Sequence, residues 1–345
     1  QPAGSVVVYA SDYPGALEFD AAQPFPVLRH PGGMLLPTPS ARRRVVAAAR
    51  EHGCAAVWFG AAAPLALLAP ALRRAGVVRI VATTHGHEAG WALLPGARQM
   101  LRRIGDGCDV VTYLGGYFRQ RLAPALGPHP ELVQLAPGVD VDTFHPGVSG
   151  AEVRARHGLA GRPVVVCVSR LVPRKGQDTL IRALPAIIGA VPGTALLIVG
   201  RGRYAGALRR LAERVGVAED VIFTGGVAEG ELAAHFAAGD VFAMPCRTRR
   251  FGMDVEGLGI VYLEASALGL AVVAGDSGGA PDAVREGETG RVVPGRDVAA
   301  VAECVSELLA DPSARAALGA AGRQWVRDQW RWEHVATRLR ALLDQ

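Results

Sequence analysis

The chain of 345 residues has few aromatic side chains and no long uninterrupted apolar segment. Only 9 Phe, 5 Trp and 6 Tyr are present, and no basic stripe is interleaved with them, which argues against a nucleic-acid partner. The apolar run from Ala61 to Leu72 is interrupted by Pro64 and Pro70 and is shorter than the roughly 20 residues that a membrane-spanning helix needs. We therefore predict no transmembrane segment.

Cysteine is scarce, and targeting signals are not evident. The five cysteines are Cys54, Cys108, Cys167, Cys246 and Cys304. They lack the spacing of a metal site, so buried free thiols are expected. The segment Gln1 to Ser5 has no basic region followed by an apolar stretch, which predicts a cytoplasmic protein.

What the sequence has in abundance is glycine and short apolar runs. Half of the residues are apolar, 43 are glycine, and the length suits two domains. Apolar β-branched runs alternate with amphipathic stretches throughout, which is typical of parallel sheets covered by helices on both faces. Strands are predicted at 6–10, 55–59, 79–83, 110–113, 132–135, 164–168, 195–199, 221–223, 241–243, 271–274 and 290–293, and helices at 41–52, 64–75, 95–104, 116–126 and 151–157.

Turn-forming residues between Pro137 and Pro146 mark the predicted joint between the domains. Residues 1–146 with 326–345 are assigned to the first domain, and 147–325 to the second. Asp140-Val-Asp142 has the pattern of a metal-binding motif in some sugar transferases, but its position in the joint favours a linker turn.

The segment Asp254 to Glu264 is the most informative part of the chain. Gly257 and Gly259 let a ligand approach the backbone, and the helix that they precede offers free N–H groups and a positive dipole end to an anion. Glu256 precedes this helix start and Glu264 lies about one turn inside it. The segment therefore predicts a site for a phosphorylated sugar, with a carboxylate on either side of a diphosphate.

A second motif supplies cations. The strand at 164–168 is followed by Ser169 and then by Arg170, Arg174 and Lys175. Because ligands of open α/β sheets bind at the carboxyl ends of the strands, this loop and the Glu256 segment are expected at the same sheet edge. Arg and Lys there would neutralise a departing diphosphate, whereas the alternative is a solvated loop.

These motifs together resemble a known family. The matching segments are 169–178, Glu256 with Glu264, 245–249, 254–265, 277–282, 57–66 and 84–88. They are similar to the retaining family 4 glycosyltransferases of the GT-B fold, and in particular to the phosphatidylinositol monomannoside mannosyltransferases. The resemblance implies two Rossmann-like domains facing a cleft, the first for the acceptor and the second for the donor.

The resemblance also implies a reaction, its site and its surroundings. Mannose would pass from GDP-mannose to a phosphatidylinositol mannoside with retention, without a covalent enzyme intermediate and without a metal cofactor. Alternatives are a family 4 enzyme with another nucleotide sugar or acceptor, and a non-catalytic binding protein of the same fold. The implied site residues are Arg170 and Lys175 for the diphosphate, Glu256 for the transferred sugar, Glu264 for the ribose, the Gly259, Ile260 and Val261 backbone for phosphate, and His85 for a contact with the sugar from the first domain.

Three further segments have open interpretations. His85-Gly-His87-Glu88 could bind a metal or shape a loop instead of contacting sugar, and His87 is the second choice for that contact. The turn at 277–282 either borders the donor or is a plain tight turn. Arg42, Arg43 and Arg44 form a basic cluster on a predicted helix, either an ordinary solvated face or a peripheral contact with the acidic inner leaflet of the plasma membrane.

The resemblance has one gap. Members of the family begin with a strand, a glycine-rich loop and a helix ahead of the strand matched to 6–10, and the first domain is expected to lack them. Because that loop faces the donor phosphates and the acceptor, we expect the chain as given to be poorly stable or inactive, whereas a version with the missing segment is expected to be active.

Overall fold

The computed structural model describes residues 4–344, so Gln1 to Ala3 and Gln345, the two ends of the predicted first domain, lie outside the described residues. The described residues form two compact units: 4–114 with 118–135 and 336–344, and 115–117 with 136–335. Residues 136–146 and 326–335 cluster with the second unit, whereas they were predicted in the first domain. The bounds of the functional domains stay a prediction.

The first part of the chain alternates strands and helices. Its strands are β1 (Val8–Ser11), β2 (Val27–His30), β3 (Ala56–Phe59), β4 (Arg79–Thr83), β5 (Val110–Tyr113) and β6 (Glu131–Gln134). Its helices are α1 (Ala16–Ala21), α2 (Pro39–Glu51), α3 (Ala69–Arg74), α4 (Glu88–Trp91), α5 (Pro95–Gly107) and α6 (Gly116–Leu126).

All strand pairs of the first unit are parallel. Strands β3 to β6 form one sheet in chain order, and β1 pairs with β2 in a separate sheet. Among the described residues no strand joins the two sheets. Strand β2 was not predicted, because Arg29 and His30 interrupt the apolar pattern of this short segment.

The single helix predicted at 64–75 was wrong in its extent. The chain forms a 3₁₀ turn at Leu65–Leu68 and then the separate helix α3. Pro70, which has no N–H to donate, lies in the first turn of α3, the position where a helix tolerates proline. The proline therefore marks a new helix start instead of lying inside a longer helix.

The rest of the chain follows the same alternation. Its strands are β7 (Val164–Val168), β8 (Ala195–Val199), β9 (Val221–Gly225), β10 (Val241–Met244), β11 (Ala271–Gly275) and β12 (Gly290–Val293). Its helices are α7 (Ala151–Arg156), α8 (Gln177–Ala190), α9 (Ala205–Arg214), α10 (Glu229–Ala237), α11 (Ile260–Ala267), α12 (Val298–Ala310), α13 (Pro312–Gln329) and α14 (Trp332–Asp344).

The second unit contains one parallel sheet of six strands in the order β12-β11-β10-β7-β8-β9. This order, which reverses between β7 and β10, is that of a Rossmann fold, and it confirms the predicted doubly wound class. Every residue of β7, β8, β10 and β11 is buried, as expected for strands covered by helices on both faces. The loops after β7, β10 and β11 therefore lie side by side at one edge.

The end of the chain returns to the first unit. Leu342 of α14 is buried against Val81 of β4 and Val110 of β5. The Arg79 Nε group also donates a hydrogen bond of 2.8 Å to the Leu342 carbonyl. The assignment of the last residues to the first domain thus has a packing basis within that unit.

Two expectations drawn from composition can be compared with the described residues. No helix within residues 4–344 has both the length and the apolar character needed to cross a bilayer. All five cysteines are free, but only Cys108, Cys167 and Cys246 are fully buried. The prediction of buried thiols was wrong for Cys54 and Cys304, which are half-buried.

Candidate donor-binding site

The loop after β7 has its shape fixed by buried groups. Gly176 has a φ of 77°, and a Cβ there would lie 1.9 Å from the Pro245 carbonyl oxygen, so only glycine fits. The fully buried Gln177 donates hydrogen bonds to the Ser169 hydroxyl at 2.8 Å and to the Arg170 carbonyl at 3.0 Å. These contacts fix the backbone on both sides of Lys175.

Lys175 and Glu256 form a buried ion pair. The Lys175 Nζ lies 2.7 Å from Glu256 Oε2, and the residues are only 7% and 5% exposed. The pair joins the loop after β7 to the loop between β10 and α11. The predicted meeting of these two motifs at one sheet edge is thus confirmed, and their charges are in direct contact.

Further charges extend from this pair. Arg174 Nε lies 3.6 Å from Glu256 Oε2, and its Nη1 lies 3.5 Å from Asp254 Oδ1. Arg249 approaches the other oxygen of Asp254 at 3.4 Å. No role was predicted for Asp254 or Arg249, although the three arginines at 247, 249 and 250, close to an acidic residue, were a visible signal.

Arg170 differs from these paired cations. Its side chain is exposed, and within residues 4–344 it has no hydrogen bond or ion pair. Only its carbonyl is used, as the acceptor for Gln177. The guanidinium at the carboxyl end of β7 is therefore available to an anion.

A glycine turn supports Glu256 from its other side. The Ser277 Oγ accepts a hydrogen bond of 3.2 Å from the Glu256 N–H, and the Gly279 N–H donates one of 3.0 Å to the Glu256 carbonyl. Gly278 has a φ of 56°, and a Cβ there would lie 2.2 Å from that carbonyl oxygen. Residues 277–282 thus form a tight turn that positions Glu256, and their place at the border of the donor stays a prediction.

The start of α11 has the geometry predicted for phosphate. Gly259 is the N-cap with a φ of 79° and provides no side-chain cap. Among the described residues the Ile260 and Val261 N–H groups have no backbone acceptor. Free first-turn amides and the positive end of the helix dipole favour an anion at this position.

Glu264 is a half-buried carboxyl group without a partner. No hydrogen bond or ion pair reaches its side chain within the described part of the chain. Burial raises the pKa of Glu264 to about 7. A carboxylate left unpaired in this way suits a ligand that brings hydroxyl donors.

The His85–Glu88 segment in the first unit forms a self-supported loop. The carboxylate of Glu88, which is fully buried, accepts hydrogen bonds of 3.0 Å from the His85 and Gly86 N–H groups. The His85 imidazole is exposed and bonds the Gly60 carbonyl, and His87 lies 3.6 Å from Glu88. Glu88 thereby holds His85 on the surface of its unit.

The described residues contain no group of three His, Cys, Asp or Glu side chains placed to hold a metal ion. Asp140 instead accepts hydrogen bonds from the N–H groups of Asp142 and Thr143 and from the Thr143 hydroxyl. These bonds lower the pKa of Asp140, led by the one from the Thr143 hydroxyl. The D-x-D motif is thus a local turn, as predicted.

Comparisons with known proteins identify the family of the chain. The sequence profile described as glycosyl transferases group 1 matches residues 151–325, and that of glycosyltransferase family 4 matches 4–143. A GDP-mannose-dependent alpha-(1-6)-phosphatidylinositol monomannoside mannosyltransferase of Mycobacterium tuberculosis is 57% identical over 98% of this chain and 89% of its own length. A GDP-mannose-dependent enzyme of Corynebacterium glutamicum, acting on the monoacylated form of that lipid, is 48% identical over 98% of this chain and 90% of its own.

Solved structures that are distant in sequence share the fold. Anabaena HepE in complex with UDP and glucose superposes with a TM-score of 0.81 at 19% identity, over 98% of this chain and 91% of its own. A sucrose-phosphate synthase of Thermosynechococcus elongatus gives 0.75 at 24% identity, over 92% and 82%. The fold and the two sequence profiles thus define a glycosyltransferase of the GT-B type. Within this class, the chain belongs to family 4, in the group of the GDP-mannose-dependent phosphatidylinositol monomannoside mannosyltransferases.

The substitutions Lys175→Met and Glu256→Gln, alone and together, test whether the buried pair acts as a unit. Each single change leaves one buried charge without its partner, which costs about 3–5 kcal/mol. The double variant contains neither charge, so we expect it to be less destabilised than the sum of the single variants. Urea unfolding of the unliganded protein measures the three changes in free energy.

Arg170→Met is the control, because it removes an exposed, unpaired cation from the same loop. It is expected to change stability by no more than about 0.5 kcal/mol. Strictly additive losses from Lys175→Met and Glu256→Gln would mean that the two side chains are not coupled in solution.

Proposed function

We propose that this chain transfers mannose from GDP-mannose to a phosphatidylinositol mannoside lipid with retention of configuration. The observation that carries the proposal is the buried Lys175–Glu256 pair beside the uncapped start of α11, in a chain 57% identical to a mannosyltransferase with this donor and acceptor. Cations and free amides at one sheet edge fit the diphosphate, and carboxylates fit the hydroxyls of mannose and ribose.

Each site residue then has a role in donor binding. We assign the diphosphate to Arg170, Lys175 and the free N–H groups of Ile260 and Val261 after Gly259. Glu264 accepts hydrogen bonds from the ribose hydroxyls. Glu256 accepts hydrogen bonds from the mannose hydroxyls while Lys175 neutralises it, so it is poorly suited to act as a free nucleophile.

The reaction breaks the bond from the anomeric carbon to the diphosphate and forms a bond from that carbon to the acceptor oxygen. The proton of the acceptor hydroxyl passes to the departing diphosphate on the same face. Arg170 and Lys175 stabilise the charge that develops on the diphosphate. These protein cations do the work that a divalent metal does in other transferases, so no metal cofactor is needed. His85 of the first unit contacts the sugar.

A peripheral contact with acidic lipid at the inner face of the plasma membrane is also proposed. Arg42, Arg43 and Arg44 are exposed in the first turns of α2, whereas Ala48 and Ala49 are buried. Cations near a helix N-terminus are unfavourable for the helix dipole, so their clustering there does not serve helix stability. It fits an anionic surface that holds the lipid acceptor.

The transfer reaction itself is tested with Arg170→Ala in the full-length protein. This side chain has no partner in the described structure, so its loss should affect the diphosphate and not the fold. We expect kcat/KM to fall about 100-fold, as for other donors that stabilise charge in the transition state. Transfer of radiolabelled mannose from GDP-mannose to phosphatidylinositol monomannoside, with EDTA present, is the measurement.

Arg214→Ala, at the exposed end of α9, is the matched control and should leave the rate unchanged. His85→Ala should lower kcat and leave GDP binding intact. A labelled lipid that forms equally well with Arg170→Ala would refute the site, and transfer abolished by EDTA would refute the metal-free reaction.

Donor affinity should also depend on the ionisation of Glu264. Ribose hydroxyls donate to the ionised carboxylate, and the pKa of this group is raised to about 7 by burial. Binding of GDP should therefore tighten as the pH rises from 6 to 8, by up to about tenfold if only the ionised form accepts both bonds. Isothermal titration at pH 6, 7 and 8 measures this slope.

Glu264→Gln keeps the shape of the side chain but cannot ionise. The pH dependence of GDP binding to this variant therefore reports only the ionisation of the GDP phosphates. The expected result is a flatter pH dependence for this variant. Identical slopes for the two proteins would place Glu264 outside the ribose site.

The membrane contact is tested with the double variant Arg42→Glu/Arg43→Glu. Each cation near an acidic surface contributes about 1 kcal/mol to binding. Binding of the double variant to vesicles of phosphatidylcholine with phosphatidylinositol should therefore weaken by roughly tenfold or more. It should also weaken as salt rises. Arg338→Glu/Arg340→Glu, two exposed arginines of α14, is the control with the same charge change. Equal losses in both variants would argue against a specific role for the α2 cluster.

A further inference from the structure

A second basic cavity of about 460 Å³ lies in the second unit, beside the first turns of α8 and α12. We define it by its four arginines and one tyrosine: Arg182, Arg247, Arg249, Arg296 and Tyr204. None of these belongs to the set of donor-binding residues assigned above. The cavity adjoins the candidate donor site through Arg249, which shares Asp254 with Arg174, and its charge needs its own explanation.

The floor of the second basic cavity is rigid. Arg247 is only 9% exposed and donates two hydrogen bonds of 2.8 Å to the carboxylate of Asp178. It donates a third, of 2.9 Å, to the Thr179 hydroxyl, which itself donates to the Gly295 carbonyl at 3.0 Å. Arg247 is thus fixed in position, and Asp178 balances its charge.

The rim of the cavity is also cationic, but its arginines are less well neutralised by carboxylates than Arg247 is. Arg182 is exposed and has no hydrogen bond or ion pair within residues 4–344. Arg296 donates to the neutral Thr248 carbonyl at 2.8 Å. Arg249 shares Asp254 with Arg174. The four guanidinium groups therefore face one carboxylate inside the cavity, that of Asp178. A second carboxylate, that of Asp254, lies beside the cavity and is shared between Arg249 and Arg174.

Tyr204 adds a neutral donor to this wall. Burial, with a further contribution from Asp178, raises the pKa of its hydroxyl. The hydroxyl therefore stays protonated and can donate at neutral pH. Guanidinium forks and a hydroxyl are the groups that proteins use for phosphate oxygens.

We propose that the second basic cavity binds a phosphate-bearing anion of at least two negative charges, separately from the nucleotide sugar. Arg182 and Arg296 contact the phosphate oxygens from the rim, and the fixed Arg247 faces them from the floor. The same chemistry is offered by a free diphosphate and by the phosphorylated head group of a phosphoinositide.

The first experiment is an isothermal titration of the full-length protein with pyrophosphate in the presence of saturating GDP, which occupies the donor site. One further equivalent of pyrophosphate should bind. Arg182→Glu reverses an exposed, unpaired charge and should weaken this binding about tenfold, since it changes a close charge interaction by two units. GDP affinity, measured separately, should not change in this variant.

Arg214→Glu is the matched control, because it makes the same charge change on an exposed helix position of the same unit. Vesicles of phosphatidylcholine with and without a phosphatidylinositol monophosphate, whose head group carries at least two negative charges, form the second arm. If Arg182→Glu weakens binding to these vesicles but not to pyrophosphate, the ligand is a lipid head group. If it weakens binding to pyrophosphate, the ligand is a soluble phosphate.

The proposal is overturned if neither arm shows binding that Arg182→Glu weakens more than Arg214→Glu does. It is also overturned if Arg182→Glu weakens GDP binding to the same extent as pyrophosphate binding. In that case the cavity would be part of the donor site.

Discussion

The candidate site depends on one buried interaction, the ion pair between Lys175 and Glu256. Removing two charges from water is costly, and a buried pair often stabilises a fold no better than packed apolar residues would. Its value here is positional, because it fixes a cation and a carboxylate at the carboxyl ends of neighbouring strands. The segment that precedes α11 lies between the loop after β7 and the turn after β11, and both of them contact Glu256 in this segment.

Around this pair, the structure separates charges that have partners from charges that have none. Lys175, Arg174 and Arg249 are bound to Glu256 and Asp254, so they shape the loops. Arg170 has no partner in the described residues, and the amides of Ile260 and Val261 have no acceptor there. A site formed in this way needs little rearrangement when an anion arrives, which is the basis of electrostatic preorganisation.

Much of this could be predicted from the sequence, for physical reasons. Strands such as β7 and β8 were located correctly because they are continuous apolar runs between turn formers. Because loops at the carboxyl ends of parallel strands share an edge, Lys175 and Glu256 could be expected near each other. Their direct contact could not, since it depends on a left-handed glycine at 176 and on its close approach to the Pro245 carbonyl.

Other features depend on tertiary context that a single sequence does not carry. The interrupted apolar pattern hid β2, whose stability comes from pairing with β1. The second basic cavity collects arginines from α8, from the loop after β10 and from the loop before α12, and the first and last of them, Arg182 and Arg296, are more than a hundred residues apart in the chain. A net charge of +5 gave no hint of where cations gather, because it is a single sum over the whole chain. The informative quantity is therefore the local excess of guanidinium over carboxylate groups, and Arg170 and the rim around Arg182 are two places in the second unit where that excess occurs.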